Sequence, residues 1–281
     1  MKTILVPTEQ TSAMESALDC ALLLAQKFAS RIEGFPLRPA VAEMVAMDPD
    51  AGMTMVAVKE NDADMVRQSE DLFRAFMQRR GVSQQPDQAA VPSAVSWTWN
   101  AEAPSGHDFV GSYGRVFDLI VLARPGEQWQ SPSMVTLESA LFESGRPVLI
   151  APPNSPRSLA TNVLIAWNRS TEQARTTAFA MPLLKRAERV TILTVEGATV
   201  AGPSGDELAR SLAAHGIAAD TMTLSSGKVN AGDTILKKAA ELGCDLIVKG
   251  AYTQSRLRQM IFGGTTRHIL TNANLPVLMA H

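Results

Sequence analysis

The sequence predicts an α/β protein of two tandem domains, each built on an open five-stranded parallel sheet with helices on both faces. Three observations lead to this prediction. Short runs rich in β-branched residues alternate with amphipathic helical segments, which is typical of βαβ units. The same order of segments occurs twice in the 281 residues. A Pro- and Ser-rich linker, 152-PPNSPRS-158, separates the copies, so we assign the domains to residues 1–152 and 160–281.

The strand segments of the two halves match one to one along the chain. The matched pairs are 4-ILVPTEQT-11 with 163-VLIAWNRS-170, 31-RIEGFPL-37 with 189-RVTILTV-195, 95-VSWTWN-100 with 220-DTMTLS-225, 118-DLIVLA-123 with 245-DLIVKG-250, and 147-PVLIAP-152 with 276-PVLMAH-281. Such short apolar runs are expected where a parallel sheet is covered on both faces. The repeat therefore predicts two copies of one fold.

A helix is expected after the first strand of each half, because a capping-box pattern follows both strands. The patterns are Ser12-Ala-Met-Glu15 and Ser170-Thr-Glu-Gln173, in which the serine hydroxyl would satisfy free amides of the helix start. Apolar residues then recur at helical spacing and form a stripe that faces a sheet. In the first half this stripe is Met14, Ala17, Leu18, Ala21, Ala25 and Phe28.

The first half has extra residues after its second strand, from about 38 to 66, and the second half has none there. The segment is rich in Ala and Met, with charges interspersed. We interpret it as a helical insertion packed on the surface of its own domain. A lid or a docking surface for a partner is the alternative, since flexible methionine side chains suit adaptable contacts.

Composition narrows the classes of function. The net charge is −2, and 19% of the residues are charged. The sequence has no cluster of basic residues of the kind that binds nucleic acid, so we expect no nucleic-acid partner. No apolar run is long enough to span a membrane, and the first apolar run breaks at Pro7 and Glu9, so we expect a cytoplasmic protein. The four histidines are scattered without metal-ligand spacing, and no metal site is predicted.

Glycines mark a candidate binding edge in the second half. Gly250 ends a strand, where a missing β-carbon would allow a sharp turn and the close approach of a ligand. The stretch Gly263-Gly264-Thr265-Thr266 precedes a helical segment, and a helix start attracts phosphate through its free amides and dipole. Either threonine would add a hydroxyl donor, with Arg256, Arg258 and Arg267 nearby. Glycines also occur at such positions for purely local reasons, and this alternative stays open.

With these features, the chain resembles a tandem universal stress protein, two fused copies of that family's domain, over nearly all of both halves. The resemblance implies Rossmann-like domains of the adenine nucleotide alpha hydrolase-like kind. The family's ATP-binding branch carries a motif of Gly, two residues, Gly, nine residues, then Gly followed by Ser or Thr. In this chain the motif falls on Gly250, Thr253, Gly263 and Gly264. Thr253 and Gly264 depart from it, and Thr265 could supply the hydroxyl that Gly264 lacks.

The resemblance also implies where the rest of a nucleotide would lie. Asn168 matches the acidic residue that holds the ribose in the family, and Ala166 and Val195 match positions whose backbone contacts adenine. The implied ligand is ATP or another adenine nucleotide, with or without Mg²⁺. In the first half Glu9 keeps the acidic residue, but Ala123 replaces Gly250, and Met134 and Val135 replace the glycine pair and should cover the amides. We therefore expect no nucleotide in the first half.

Three classes of function follow from this pattern. The first is a regulatory stress-response protein that binds a nucleotide in its second half. The second is a scaffold or small-ligand binder that acts through the insertion and binds no nucleotide. The third is a slow ATPase, for which His268 is the only local candidate base; a packed or capping histidine is the simpler interpretation, and no catalytic residue is assigned.

The last strand of each half suggests how the halves associate. The resemblance implies pairing through this edge strand, and the copies 148-VLIA-151 and 277-VLMA-280 could pair within one molecule. Such pairing would hide two exposed strand edges. The tandem would then be an intramolecular pseudo-dimer, and a homodimer of two chains is a further expectation.

Overall fold

The structure of the protein, a computed structural model, describes residues 1–40, 55–85, 93–126, 133–225, 227, 230–251 and 264–281. Over these residues the chain divides into two compact units, Met1–Arg146 and Pro147–His281. The strand at 147–152, which we expected to close the first domain, is thus grouped with the second unit. No helix in the described ranges is both long enough and apolar enough to cross a membrane.

The first unit is a parallel sheet with helices between its strands. Its elements are β1 (Thr3–Thr8), α1 (Met14–Phe28), β2 (Arg31–Pro36), α2 (Met55–Arg79), β3 (Ser83–Gln84), β4 (Ser96–Trp99), α3 (Asp108–Gly114), β5 (Leu119–Leu122) and α4 (Met134–Glu143). The strand order is β3-β4-β2-β1-β5, and neighbouring strands are parallel. The predicted strands are confirmed, and the two-residue β3 is an addition.

Helix α1 presents the predicted apolar stripe to the sheet, but it is not capped as predicted. All six residues of the stripe are buried. The N-cap position falls on Ala13, which provides no side-chain hydrogen bond, so the prediction for Ser12 is wrong. A turn explains this, because Thr11 N donates to Glu9 O and Met14 N donates to Thr11 O. This turn delays the helix past Ser12.

Helix α2 contains the C-terminal part of the predicted insertion. It has 25 residues and is about 37 Å long at 1.5 Å per residue. It is therefore longer than the six-residue strand β2, which spans about 20 Å. Phe73 of this helix packs closely on β2, because a β-carbon at Gly34 would lie only 2.6 Å from the Phe73 ring. Arg38 Nε, beyond the end of β2, lies 2.5 Å from Asp62 Oδ1 on the helix. Residues 41–54 of the insertion lie outside the described residues.

The second unit repeats this arrangement. Its elements are β6 (Val148–Ile150), β7 (Asn162–Ala166), α5 (Thr171–Leu184), β8 (Arg189–Glu196), α6 (Gly205–Ala213), β9 (Asp220–Ser225), α7 (Ala231–Glu241), β10 (Leu246–Val248), α8 (Gly264–Asn272) and β11 (Val277–Met279). The strand order is β6-β11-β10-β7-β8-β9. All neighbours are parallel except β6 and β11, which pair antiparallel.

The pairing expected for 148-VLIA-151 and 277-VLMA-280 is present. Val277 is opposite Ile150, Leu278 opposite Leu149 and Met279 opposite Val148. All these residues are buried. Strand β6 therefore covers the edge that β11 would otherwise expose. The pseudo-dimer and the homodimer stay predictions.

The strand order of the second unit defines the position where a ligand would bind. From β7 the chain runs outward through β8 to β9, then returns to β10 on the other side of β7. The carboxyl ends of β7 and β10 therefore border the crevice at which strand order reverses, the usual ligand position in open α/β sheets. The loops after these strands carry the candidate site.

Candidate functional site

Several predicted site residues lie at the carboxyl ends of neighbouring strands in the second unit. Ala166 is the last residue of β7 and pairs with Leu193 of β8, two residues before Val195. Gly250 follows β10, which is in register with β7 through Ile165 and Val248. Ala166 and Val195 are both buried. Thr253 and Gly263 lie outside the described residues, so their predicted roles stay predictions.

Asn168 is built into the entry of helix α5. Its Oδ1 accepts a hydrogen bond from Ser170 N at 3.2 Å, and its carbonyl accepts one from Val200 N at 3.1 Å. Ser170 Oγ accepts from Gln173 N at 3.1 Å, so the predicted cap at Ser170 is confirmed. The side-chain oxygen that would face a ribose therefore already accepts a bond from the helix entry.

Gly250 is required for close helix packing rather than for a sharp turn. Its φ is not positive. A β-carbon there would lie 2.5 Å from Gln173 N and 2.7 Å from Glu172 C, both backbone atoms of α5. The first turn of α5 therefore fills the space in which we expected a ligand to approach. This corrects the predicted reason for the glycine, since two backbones meet at this position.

Gln173 fastens the end of β10 to α5, a role that the sequence did not indicate. The residue is fully buried. Its Oε1 accepts from Gly250 N at 2.6 Å, and its Nε2 donates to Val248 O at 3.3 Å. In a complete capping box this side chain would bond back to the N-cap residue. Here it satisfies the backbone of the neighbouring strand instead.

Lys249 is a second site residue that sequence reasoning missed. It is only 6% exposed, and its Nζ donates to Gly250 O at 2.8 Å and to Thr266 Oγ1 at 3.0 Å. Burial lowers the pKa of this ammonium to about 8. The signal was present in the sequence, because 245-DLIVKG-250 has a lysine where the first-half segment 118-DLIVLA-123 has Leu122.

The first residue of helix α8 is exposed to solvent, whereas a threonine side chain in the same turn is buried and hydrogen-bonded. Gly264 is exposed, and among the described residues the nearest heavy atom to a β-carbon there would be Asn230 Nδ2 at 3.8 Å. Thr265 is half-buried and Thr266 is buried. Thr266, held by Lys249, is thus the hydroxyl fixed at this site, whereas we expected Thr265 to replace the hydroxyl absent from Gly264.

His268 joins two helices. Its Nε2 lies 2.6 Å from Asp233 Oδ1 on α7, at ion-pair distance. Asn272 Nδ2 donates to His268 O at 2.9 Å. These contacts pack His268 between α7 and α8. Across the described ranges, His, Cys, Asp and Glu side chains form no group of three that could hold a metal ion.

The corresponding edge of the first unit is closed in a different way from the one we expected. Ser133 Oγ caps α4 by accepting from Val135 N at 3.1 Å, while the Val135 side chain is 50% exposed. The amide of Val135 is therefore occupied by the serine cap, and the Val135 side chain does not cover it as we expected. A cavity lined by Pro7, Glu9, Met14, Leu37, Leu122, Ala123, Pro125, Ser133 and Thr136 has a volume of about 10 Å³, room for about one water molecule. Burial raises the pKa of the Glu9 carboxyl to about 7.

The strand order and the crevice between β7 and β10 place the second unit among the doubly wound, Rossmann-like α/β folds. Residues 160–281 match the model of the Universal stress protein family. No curated protein matches the chain significantly.

Solved structures show that the same fold extends over both units. A universal stress protein from Archaeoglobus fulgidus DSM 4304 superposes with a TM-score of 0.73 at 16% identity, over 99% of this chain and 95% of its own. A putative universal stress protein from Pseudomonas aeruginosa UCBPP-PA14 gives a TM-score of 0.54 at 16% identity, over 100% and 93%. A functionally unknown protein from Pseudomonas aeruginosa PAO1 superposes with a TM-score of 0.53 at 15% identity, over 100% of this chain and 92% of its own.

Proposed function

We propose that the second unit binds ATP or a related adenine nucleotide, with or without Mg²⁺, and that the protein is a regulatory binding protein of the stress response. The observation that carries this proposal is the open first residue of α8 at the strand-order reversal. Gly264 is exposed, and nothing described crowds the position of its missing β-carbon closer than 3.8 Å. A phosphate can therefore reach the free amides of the helix start.

The family match supports the same location. Residues 160–281 include all four motif positions, Gly250, Thr253, Gly263 and Gly264. Ala166 and Val195 contribute buried backbone at the neighbouring strand ends, where adenine would lie by the resemblance. In the first unit, the Ser133 cap and the small cavity support a copy without nucleotide.

A scaffold that binds no nucleotide is the second candidate, and two observations favour it. The side-chain oxygen of Asn168 is engaged by Ser170 N, and helix α5 fills the space beside Gly250. Both reduce the room for a ribose and its phosphates. For hydrolysis no catalytic residue is assigned, and we propose binding rather than catalysis.

Thermal unfolding with added ATP separates the two candidates. A ligand present at one hundred times its Kd stabilises the native state by about 2.7 kcal/mol. We expect ATP at millimolar concentration to raise the Tm, and a mass spectrum of the purified native protein to show a carried-over nucleotide. An unchanged Tm together with a nucleotide-free spectrum would support the scaffold.

Two matched variants locate the site. Gly264→Glu places a carboxylate at the open start of α8, and Val135→Glu places one at the aligned first turn of α4. Both changes are compatible with the helix dipole, so both variants should fold. We expect Gly264→Glu to abolish the ATP-dependent rise in Tm by repelling the phosphates, and Val135→Glu to retain it. Loss of the rise in Val135→Glu alone would move the site to the first unit.

A further inference from the structure

The side chain of Lys249 is a buried cation that no carboxylate neutralises in the part of the chain that the structure describes. Its Nζ donates to two neutral oxygens, Gly250 O and Thr266 Oγ1. The ion pairs between described residues all use other groups. Removing a charge from water without a partner is strongly unfavourable. A lysine at this position therefore needs an explanation beyond packing.

The segment that follows in the sequence adds positive charge and no negative charge. The stretch 252-YTQSRLRQMIFG-263 has two arginines, Arg256 and Arg258, and neither Asp nor Glu. Its structure lies outside the described residues, but its composition alone excludes it as the source of a carboxylate. Arg267, exposed in the first turns of α8, adds a further positive charge. The segment 252–263 therefore offers no carboxylate to Lys249.

Thr266 shows what kind of group would complete the site. An ammonium can only donate hydrogen bonds, so Thr266 Oγ1 acts as the acceptor in its 3.0 Å contact with Lys249. The hydroxyl hydrogen of Thr266 is then left to donate, and no described residue accepts it. The first amides of α8 are donors as well. The Thr266 hydroxyl and the first amides of α8 are thus donors at this point.

We propose that Lys249 is the buried counter-charge for a phosphoryl anion that binds on the first turn of α8. The anion neutralises the ammonium and accepts hydrogen bonds from Thr266 Oγ1 and the helix amides. The location of this anion site rests on the proposed function. The group that Lys249 recognises is the phosphoryl anion, so binding at this site does not require adenine. The lysine remains protonated at neutral pH, because its lowered pKa of about 8 is still above 7.

A purely structural role for Lys249 makes the opposite prediction for stability. If the lysine only linked Gly250 to Thr266, replacing it with methionine would remove two hydrogen bonds and lower the Tm. If it is an unneutralised charge kept for a ligand, methionine fills a similar volume without the charge. The ligand-free Lys249→Met protein should then have a higher Tm than the wild type, as replacement of buried charges by apolar groups often does.

The experiment measures Tm and Kd of the full chain with inorganic tripolyphosphate, ATP and adenosine. For the wild type we expect stabilisation by tripolyphosphate and by ATP. For Lys249→Met we expect tripolyphosphate to bind about tenfold more weakly or worse, the effect of losing one charge-assisted hydrogen bond. Lys185→Met removes an exposed lysine of the same unit and should leave Tm and Kd unchanged. Thr266→Val, which keeps the lysine, should also weaken tripolyphosphate binding.

The outcomes distinguish this inference from the proposed function. Unchanged ATP and tripolyphosphate affinity in both Lys249→Met and Thr266→Val would overturn the role of Lys249 and leave the nucleotide site standing. Tripolyphosphate binding that depends on Lys249, without any tighter binding of ATP, would support the inference and contradict nucleotide recognition. A wild type that responds to none of the three compounds would overturn both. A lower Tm in Lys249→Met with tripolyphosphate affinity retained identifies a structural lysine.

Discussion

Gln173 and Gly250 are joined by a 2.6 Å hydrogen bond from the glycine amide to the glutamine Oε1, at the point where helix α5 meets the end of β10. The same contact leaves no space for a side chain at position 250, because the backbone of α5 fills it. Gly250, which the sequence assigned to ligand binding, is therefore needed for the packing of the helix on the strand. The ligand site that we propose lies beyond it, at Lys249, Gly264 and Thr266.

Gly250→Ala should destabilise the protein by about 1–3 kcal/mol, as overpacking does when backbone must move. The added β-carbon would lie 2.5 Å from Gln173 N. Urea unfolding measures the change in the free energy of unfolding. Gly264→Ala is the matched control, because its β-carbon would lie at an ordinary contact distance, 3.8 Å from Asn230 Nδ2, and we expect little change in the free energy of unfolding. Equal effects of the two substitutions would contradict the close packing at Gly250.

The two predicted helix caps should respond differently to alanine. Ser170→Ala removes the acceptor of Gln173 N and should cost about 1 kcal/mol. Ser12→Ala should change the free energy of unfolding little, because the N-cap of α1 is Ala13. Chemical denaturation of both variants tests this. A cost at Ser12 as large as that at Ser170 would show that α1 starts earlier than described.

Lys249 should make stability rise at alkaline pH. The pKa of its ammonium falls from 10.5 to about 8 on folding because of burial. Below pH 8 the penalty of burying the charge is fully present. Between about pH 8 and 10.5 the unfolded chain binds more protons, so the free energy of unfolding increases with pH. Denaturation across this window should show a larger increase for the wild type than for Lys249→Met, and parallel curves would refute the assignment.

Glu9 should make stability fall over a lower range of pH. Burial raises the pKa of its carboxyl from 4.5 to about 7 in the folded protein. Between these values the folded state binds more protons than the unfolded chain, so the free energy of unfolding decreases as pH rises. Above about pH 7 this contribution is constant. Subtracting the pH profile of Glu9→Gln isolates the effect, and a difference that is flat from pH 4.5 to 7 would count against it.

The strands could be predicted from the sequence because they depend on local patterns that occur twice. The runs 118-DLIVLA-123 and 245-DLIVKG-250 each became the strand expected. The cap at Ser12 was predicted wrongly because a short turn through Thr11 competes with the capping pattern. The roles of Gln173 and Lys249 were missed because both depend on partners far away in sequence, 77 residues for Gly250 and 17 for Thr266.

The antiparallel pairing of β6 with β11 has a consequence for anyone who divides the chain. A fragment that starts in the linker at 152–158 would lack Val148, Leu149 and Ile150, and so would leave the backbone of β11 without its neighbour. Such a bare apolar edge promotes self-association. A fragment beginning at Pro147 keeps the pairing of β6 with β11 and is therefore the better choice for retaining the sheet of the C-terminal unit.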